Sequence, residues 1–287
     1  MIPFWIRFFS ICFSVLMMFS IGLKTPYRDF ISFFDRRSFI LRAALANLII
    51  VPLIAILIAA LLPLSIEGRI GLILLSVMPG ALLGLQFTAA SAQSRSSAAI
   101  LTFLLSLFAI AISPWYARTL ALSSGMRFEI PFARLSMALL LYLALPLAVG
   151  LVLHRWLGSK PKLLKIIDLL SRLSFLGLFI ASFEAKSSAV KNLEPADILS
   201  LVALLAGSFL AGLILGRTFE EKRFFAAITS MRNVAVALAV AYASFPERNV
   251  DLIIIAYSAL MLPPNAVMLF LQKRQQRKQM TGSKFIG

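Results

Sequence analysis

Nine apolar runs, each of 20 residues or more, constrain this chain more than any other feature. The hydrocarbon core of a bilayer is about 30 Å thick and takes roughly 20 helical residues to cross. Lipid offers the backbone no hydrogen-bond partners, so each run must satisfy its own amides and carbonyls as a helix. The runs lie at about 4–23, 38–62, 67–92, 96–121, 131–156, 162–186, 195–216, 222–245 and 250–272. The expected fold is an all-α polytopic membrane protein with nine transmembrane helices. No connection is long enough to separate domains, so residues 1–287 read as a single unit. The first run lacks a small-residue cleavage site and is expected to stay as a helix. Only 14% of the residues are charged, too few to cover a soluble domain of this size.

The net charge of +16 would suggest nucleic acid in a soluble protein. Here its distribution gives another cause. The odd-numbered connections and the C-terminal tail hold 17 lysines and arginines, and the opposite side holds 8. Cytoplasmic loops collect such residues, so the N-terminus is expected outside and the C-terminus in the cytoplasm, in a plasma (inner) membrane. The expected macromolecular partner is membrane lipid, with no nucleic acid; the oligomeric state stays open, a monomer included. The tail "KRQQRKQM" is a basic segment beside anionic headgroups. Arg42 and Arg172, near cytoplasmic helix ends, are expected to snorkel.

The chain is poor in catalytic chemistry. Its one cysteine, Cys12, and its one histidine, His154, stand far apart in sequence, and no His/Asp/Glu group has metal-ligand spacing. The acidic residues all fall in connections or at helix ends. An intramembrane enzyme would need a nucleophile, base or metal set within the spans. None is present, so no cofactor and no catalytic residue is expected.

Two spans carry signs of a break. "LLSVMPGALLGLQFTAASA" places Pro79-Gly80 in the middle of the third. Proline removes a backbone donor, and glycine loosens the chain. "AAITSMRNVAVALAVAYASF" places a polar patch, Thr229 to Asn233, in the middle of the eighth. Each is followed by a span ending in proline: Pro114 lies 35 positions after Pro79, and Pro263 lies 32 after Met231. The two units start on opposite sides of the membrane, as in an inverted repeat. Paired discontinuous helices point to a transporter site at the midplane. Arg232 lies deep in its span, and a charge there is functional by default. Asn47, Gln86, Thr88, Thr102 and Asn265 are further polar residues within spans.

The chain resembles the bile acid:sodium symporter family, within the wider bile/arsenite/riboflavin-type carrier superfamily. The matching stretches are "SVMPGA" at 76–81 with "LTFLLSLFAIAISP" downstream, and "SMRNVAVALA" at 230–239 with "FP" at 245–246. "FSVLMMFSIGLK" at 13–24 and "ANLIIVPLIAIL" at 46–57 match the helices before the first break. The resemblance implies a nine-helix form lacking the first family helix. It implies a panel domain over about 4–23 and 131–186, and a core domain over about 38–121 and 195–272. The broken helices would cross at the midplane, and transport would proceed by alternating access.

The departures from the family pattern concern sodium. A Ser-Asn pair that binds it reads Gly84 and Leu85 here, a glutamate reads Ile228, and a glutamine beside Met231 reads Arg232. Thr102 keeps a hydroxyl, and Asn47 is a shortened form of a glutamine. The resemblance therefore implies ion-site positions at Asn47, Thr102, Ile228, Met231 and Arg232, with sodium doubtful. It implies a substrate-binding crossing at Pro79, Gly80, Gln86, Thr88, Thr229, Ser230, Asn233 and Asn265. Three roles stay open to Arg232: a tethered cation in place of the ion, a grip on an anionic substrate, or a cap on broken-helix carbonyls. The expected function is a secondary transporter of an organic anion, bile-acid-like or a small carboxylate, working without sodium. The alternatives are a sodium-coupled symporter with altered ion sites, and a membrane sensor or scaffold that does not transport.

Overall fold

The computed structural model describes residues 4–78, 140–158, 160–190, 193–245 and 248–283, with isolated helical positions between 100 and 137. Among these, five helices are long and apolar enough to cross a membrane: Phe4–Lys24, Arg37–Leu61, Leu140–Leu157, Pro195–Leu215 and Val250–Met268. The described residues form only helices and turns. Most of the span expected over 96–121 lies outside them.

In chain order the helices are α1 (Phe4–Lys24), α2 (Tyr27–Phe33), α3 (Arg37–Leu61), α4 (Ile66–Val77), α5 (Leu140–Leu157), α6 (Pro161–Val190), α7 (Pro195–Leu215), α8 (Phe219–Ser230), α9 (Val234–Ser244) and α10 (Val250–Ser283). Helix α1 packs along both α5 and α6. Helices α3, α4, α7, α8, α9 and α10 pack on one another. The two groups touch where α1 meets α9 and α6 meets α10.

Three features depart from the expected spans. The first connection folds into α2. Pro26 cannot continue α1, and the Thr25 hydroxyl bonds the Ile21 carbonyl, so the chain turns and restarts. Helix α6 runs to Val190, beyond the expected end at 186. Helix α10 passes through Pro263-Pro264 and on to Ser283, where the span was expected to end at 272. Proline fixes φ at a helical value, so the backbone carries on although two donors are lost.

Proline also shapes α3 and α5. Each contains a π turn, Leu45–Ile50 and Leu140–Ala144, and each turn is followed two residues later by proline, Pro52 and Pro146. Pro52 has no N–H to offer the carbonyl four residues back. The Val51 amide instead reaches five residues back, to Ala46.

Polar ties link helix ends in two sets. Arg42 pairs with Glu221 at 2.8 Å and donates to the Leu215 carbonyl at 2.7 Å. Lys24 pairs with Asp168 at 2.5 Å. A ring nitrogen of His154 lies 2.7 Å from the Leu23 carbonyl. Arg223 donates to Met268 at 3.0 Å. These join ends that the charge distribution assigns to its lysine- and arginine-rich side. On the other side, buried Asp197 accepts from the Ser65 amide at 3.2 Å and hydroxyl at 2.6 Å. Arg248 pairs there with Glu67 at 3.3 Å. Arg42 therefore departs from the snorkelling expected of it: it is held between α3 and α8. Asp168 departs too, lying two turns inside α6 and not at its end.

Glu221 gives the first testable consequence. The hydrogen bonds from Arg42, foremost, hold its carboxyl below the usual carboxylate range. Its contribution to stability is present above the unfolded-state value and is lost as pH falls through the folded one. Glu221→Gln should flatten the acid limb of a melting-temperature profile. An unchanged acid limb would exclude the pair as its source.

Candidate functional site

Helices α4 and α8 are twins in length and punctuation. Each has 12 residues. Each begins at a hydroxyl cap: Ser65 accepts from the Gly68 amide at 2.9 Å and Thr218 from the Glu221 amide at 3.2 Å. Each ends at a methionine, Met78 or Met231. Twelve helical residues rise about 18 Å, which reaches the middle of a core about 30 Å thick. Their C-terminal ends come together, where the Asn233 backbone amide donates to the Met78 carbonyl at 3.3 Å.

The chain leaves α8 at Met231, whose amide still bonds the Ala227 carbonyl, passes through Arg232, and restarts as α9 after Asn233, whose carbonyl accepts from the Ala237 amide. Met231 has extended backbone, and the Asn233 side chain caps α9 by accepting from the Val236 amide at 3.3 Å. The eighth span is thus two helices with a break of three residues.

Arg232 fills this junction and is 1% exposed. Its Nε donates to the Leu75 carbonyl at 2.8 Å. One terminal nitrogen donates to the Asn47 side-chain oxygen at 3.0 Å and to the Thr229 carbonyl at 3.3 Å. The other donates to the Ser76 carbonyl. Leu75 and Ser76 end α4, and Thr229 ends α8. The guanidinium therefore lies between two helix C-termini, the negative ends of two helix dipoles. All four acceptors are neutral oxygens. Among the described residues no carboxylate bonds it; the helix ends supply the partial negative charge.

The surroundings lock these partners. Asn47 lies within the π turn of α3; its amide donates to the Ala43 carbonyl at 3.0 Å and to the Thr229 hydroxyl at 3.4 Å. The Tyr257 hydroxyl donates to the Ser230 carbonyl at 2.6 Å. The Asn265 amide donates to the Ser230 hydroxyl at 3.1 Å and to the Met261 carbonyl at 2.8 Å. Ile228 and Met231 are buried in the apolar cluster around the junction. Asn233 is 3% exposed, and its side-chain nitrogen has no hydrogen-bond partner among the described residues.

Among the residues marked from sequence, Asn47, Thr229, Ser230, Met231, Arg232, Asn233 and Asn265 thus gather at one junction, with Ile228 packed beside it. Pro79, Gly80, Gly84, Leu85, Gln86, Thr88 and Thr102 lie outside the described residues. Sequence reasoning missed Tyr257, whose signal was faint: a phenol inside an apolar span wants a partner for its hydroxyl. It also missed the Leu75 and Ser76 carbonyls, which no side-chain pattern announces.

A family model, the Sodium Bile acid symporter family, matches residues 12–193. The chain belongs to the sodium bile acid symporter family. This family member is therefore an integral membrane transporter of the bile acid symporter type, a class of carriers and not enzymes. The matched stretch begins within α1, runs past the end of α6 and stops before α8 and α9, so Arg232 lies outside it. No curated protein matches the chain.

Proposed function

We propose that the protein is a secondary transporter of an organic anion, a bile-acid-like acid or small carboxylate, that works without sodium. The observation that carries this reading is Arg232, with its guanidinium among the Leu75, Ser76, Thr229 and Asn47 oxygens. A monovalent cation would bind such a set of hard oxygens, extending the ligand logic of hard cations. The guanidinium holds the place permanently. A sodium ion about 4 Å away would be repelled by about 4 kcal/mol at an effective dielectric of 20. Four N–H···O bonds hold the guanidinium to protein oxygens and the residue is 1% exposed, which favours the tethered cation over a direct grip on substrate.

An anion finds its attraction elsewhere. Helix α9 begins at the junction with the positive end of its dipole, and the Asn233 side-chain nitrogen is a donor without an acceptor among the described residues. A carboxylate there would take that hydrogen bond. The paired lengths, caps and methionine ends of α4 and α8 support an inverted repeat. The grouping of α1, α5 and α6 against the remaining helices supports a panel moving against a core in alternating access.

The test is uptake into proteoliposomes with anions first selected by thermal shift. Transport is expected to run equally with a sodium or a potassium gradient. A steep rise with inward sodium would sink the sodium-independent reading. An anion that stabilises the protein but never crosses would make it a sensor on a carrier fold.

A further inference from the structure

Helix α2 stands between two helix ends on one side of the membrane. Lys24 ends α1, and Arg37 begins α3 only a few residues after α2 closes. Neither connection is long enough to carry α2 away from the membrane surface. Its exposed apolar residues form one stripe at helical spacing: Tyr27 is 71% exposed and Ile31 54%, with Phe34 on the same face. Around them Arg28, Arg36 and Arg37 are exposed, and none of these guanidinium groups meets a carboxylate among the described residues. An apolar stripe flanked by exposed arginines, held at a bilayer surface, has the chemistry of an interfacial helix.

The opposite face of α2 is coupled inward. Phe33 is buried and packs edge-on against Phe39 of α3 at 6.0 Å. Phe39 packs on Phe225 of α8 at 4.7 Å and on Phe224 at 5.4 Å. Arg42 lies over the Phe225 ring at 5.3 Å and pairs with Glu221 of the same helix. A chain of four aromatic rings thus joins the surface helix to the half-helix that ends at the Arg232 junction.

We propose that α2 is an anionic-lipid sensor: Tyr27, Ile31 and Phe34 enter the headgroup layer, Arg28, Arg36 and Arg37 hold phospholipid phosphates, and Phe33 passes the constraint through Phe39 to α8. The occupant is the protein's own bilayer, because both ends of α2 are tied to membrane helices and arginines outnumber acids in the segment from Tyr27 to Arg37. The sensor stands independently of the substrate and of sodium coupling.

The test uses the full chain in two measurements that need no transport. A nitroxide at Ile31→Cys, in a Cys12→Ser background, should meet lipid-soluble oxygen more than a water-soluble nickel complex. The same label at Asp35→Cys should show the reverse. In equimolar phosphatidylcholine and phosphatidylglycerol nanodiscs, native mass spectrometry should find phosphatidylglycerol retained about fivefold or more, as one engaged arginine would give. Arg28→Gln/Arg36→Gln/Arg37→Gln should return retention to the input ratio, while inorganic phosphate should leave the wild-type ratio unchanged. Should the triple variant melt early, the single Arg28→Gln carries the same expectation of reduced retention. A water-exposed label at position 31, or retention indifferent to the arginines, would overturn the proposal. Displacement by inorganic phosphate would overturn it too, making the site one for a free anion.

Discussion

Arg232→Ala should unfold far below the native chain in sodium-free buffer and recover some of the loss when sodium is added. The substitution strips the donors from the Leu75, Ser76 and Thr229 carbonyls and from the Asn47 oxygen. Each buried acceptor left without a partner costs about 1–3 kcal/mol. Two helix C-termini would then face each other with nothing positive between them. The space vacated is lined by neutral oxygens, so a small cation can enter and restore some of the balance. Arg232→Lys should fall between, because one ammonium cannot reproduce the fork of the guanidinium. The native chain should show no sodium-dependent shift. The measurement is thermal unfolding in detergent with sodium exchanged for potassium or choline. If Arg232→Ala melts with the native protein, the guanidinium holds nothing of consequence. If it is destabilised but blind to sodium, Arg232 is a structural cap and the surrogate reading fails.

Gly22→Ala and Gly150→Ala should each abolish, or nearly abolish, recovery of folded protein, a larger effect than their single methyl group suggests. The two glycines face each other where α1 crosses α5. A Cβ on Gly22 would lie 2.8 Å from the Leu151 nitrogen and 2.9 Å from the Gly150 carbonyl carbon. A Cβ on Gly150 would lie 2.5 Å from the Phe19 carbonyl oxygen and 3.0 Å from the Gly22 Cα. These neighbours are backbone and cannot swing aside, so the helices must separate. Small residues at membrane helix crossings permit this close approach, and van der Waals contact is the main attraction in lipid. Gly207→Ala is the control. Its Cβ would meet the Ile54 side chain at 3.1 Å, which can shift by rotation. Size-exclusion recovery and melting temperature would read all three. If Gly22→Ala behaves like Gly207→Ala, the α1–α5 contact is looser than the structure has it.

The sequence was most legible where lipid imposes the rule. Apolar length announced helices, and their observed ends at Lys24, Leu61 and Leu215 lie within a residue or two of those expected. Lysine and arginine counts sorted the ends into two sets, and cross-helix ties join ends within each set. Arg232 was visible as a charge too deep to snorkel. Less was legible where local signals conflict with packing. The last span was expected to stop at 272, yet α10 runs through Pro263-Pro264 and on to Ser283. Arg42 read as a residue reaching for water because its partner, Glu221, lies far along the chain and approaches only after α3 and α8 pack.

By itself the sequence determined that the chain crosses a membrane as helices, for a bilayer accepts few other answers from runs this apolar. It also determined that one span carries a cation with no nearby carboxylate in sequence. Only the tertiary structure decided what that cation meets. Its acceptors are backbone carbonyls of α4 and α8 and the amide of Asn47 on α3, brought together from positions 47, 75, 76 and 229. Carbonyls are the same in every residue, so no pattern of side chains can single out Leu75 or Ser76. They become ligands because two 12-residue helices end beside the same side chain, with last-turn carbonyls that still have room to accept and face Arg232.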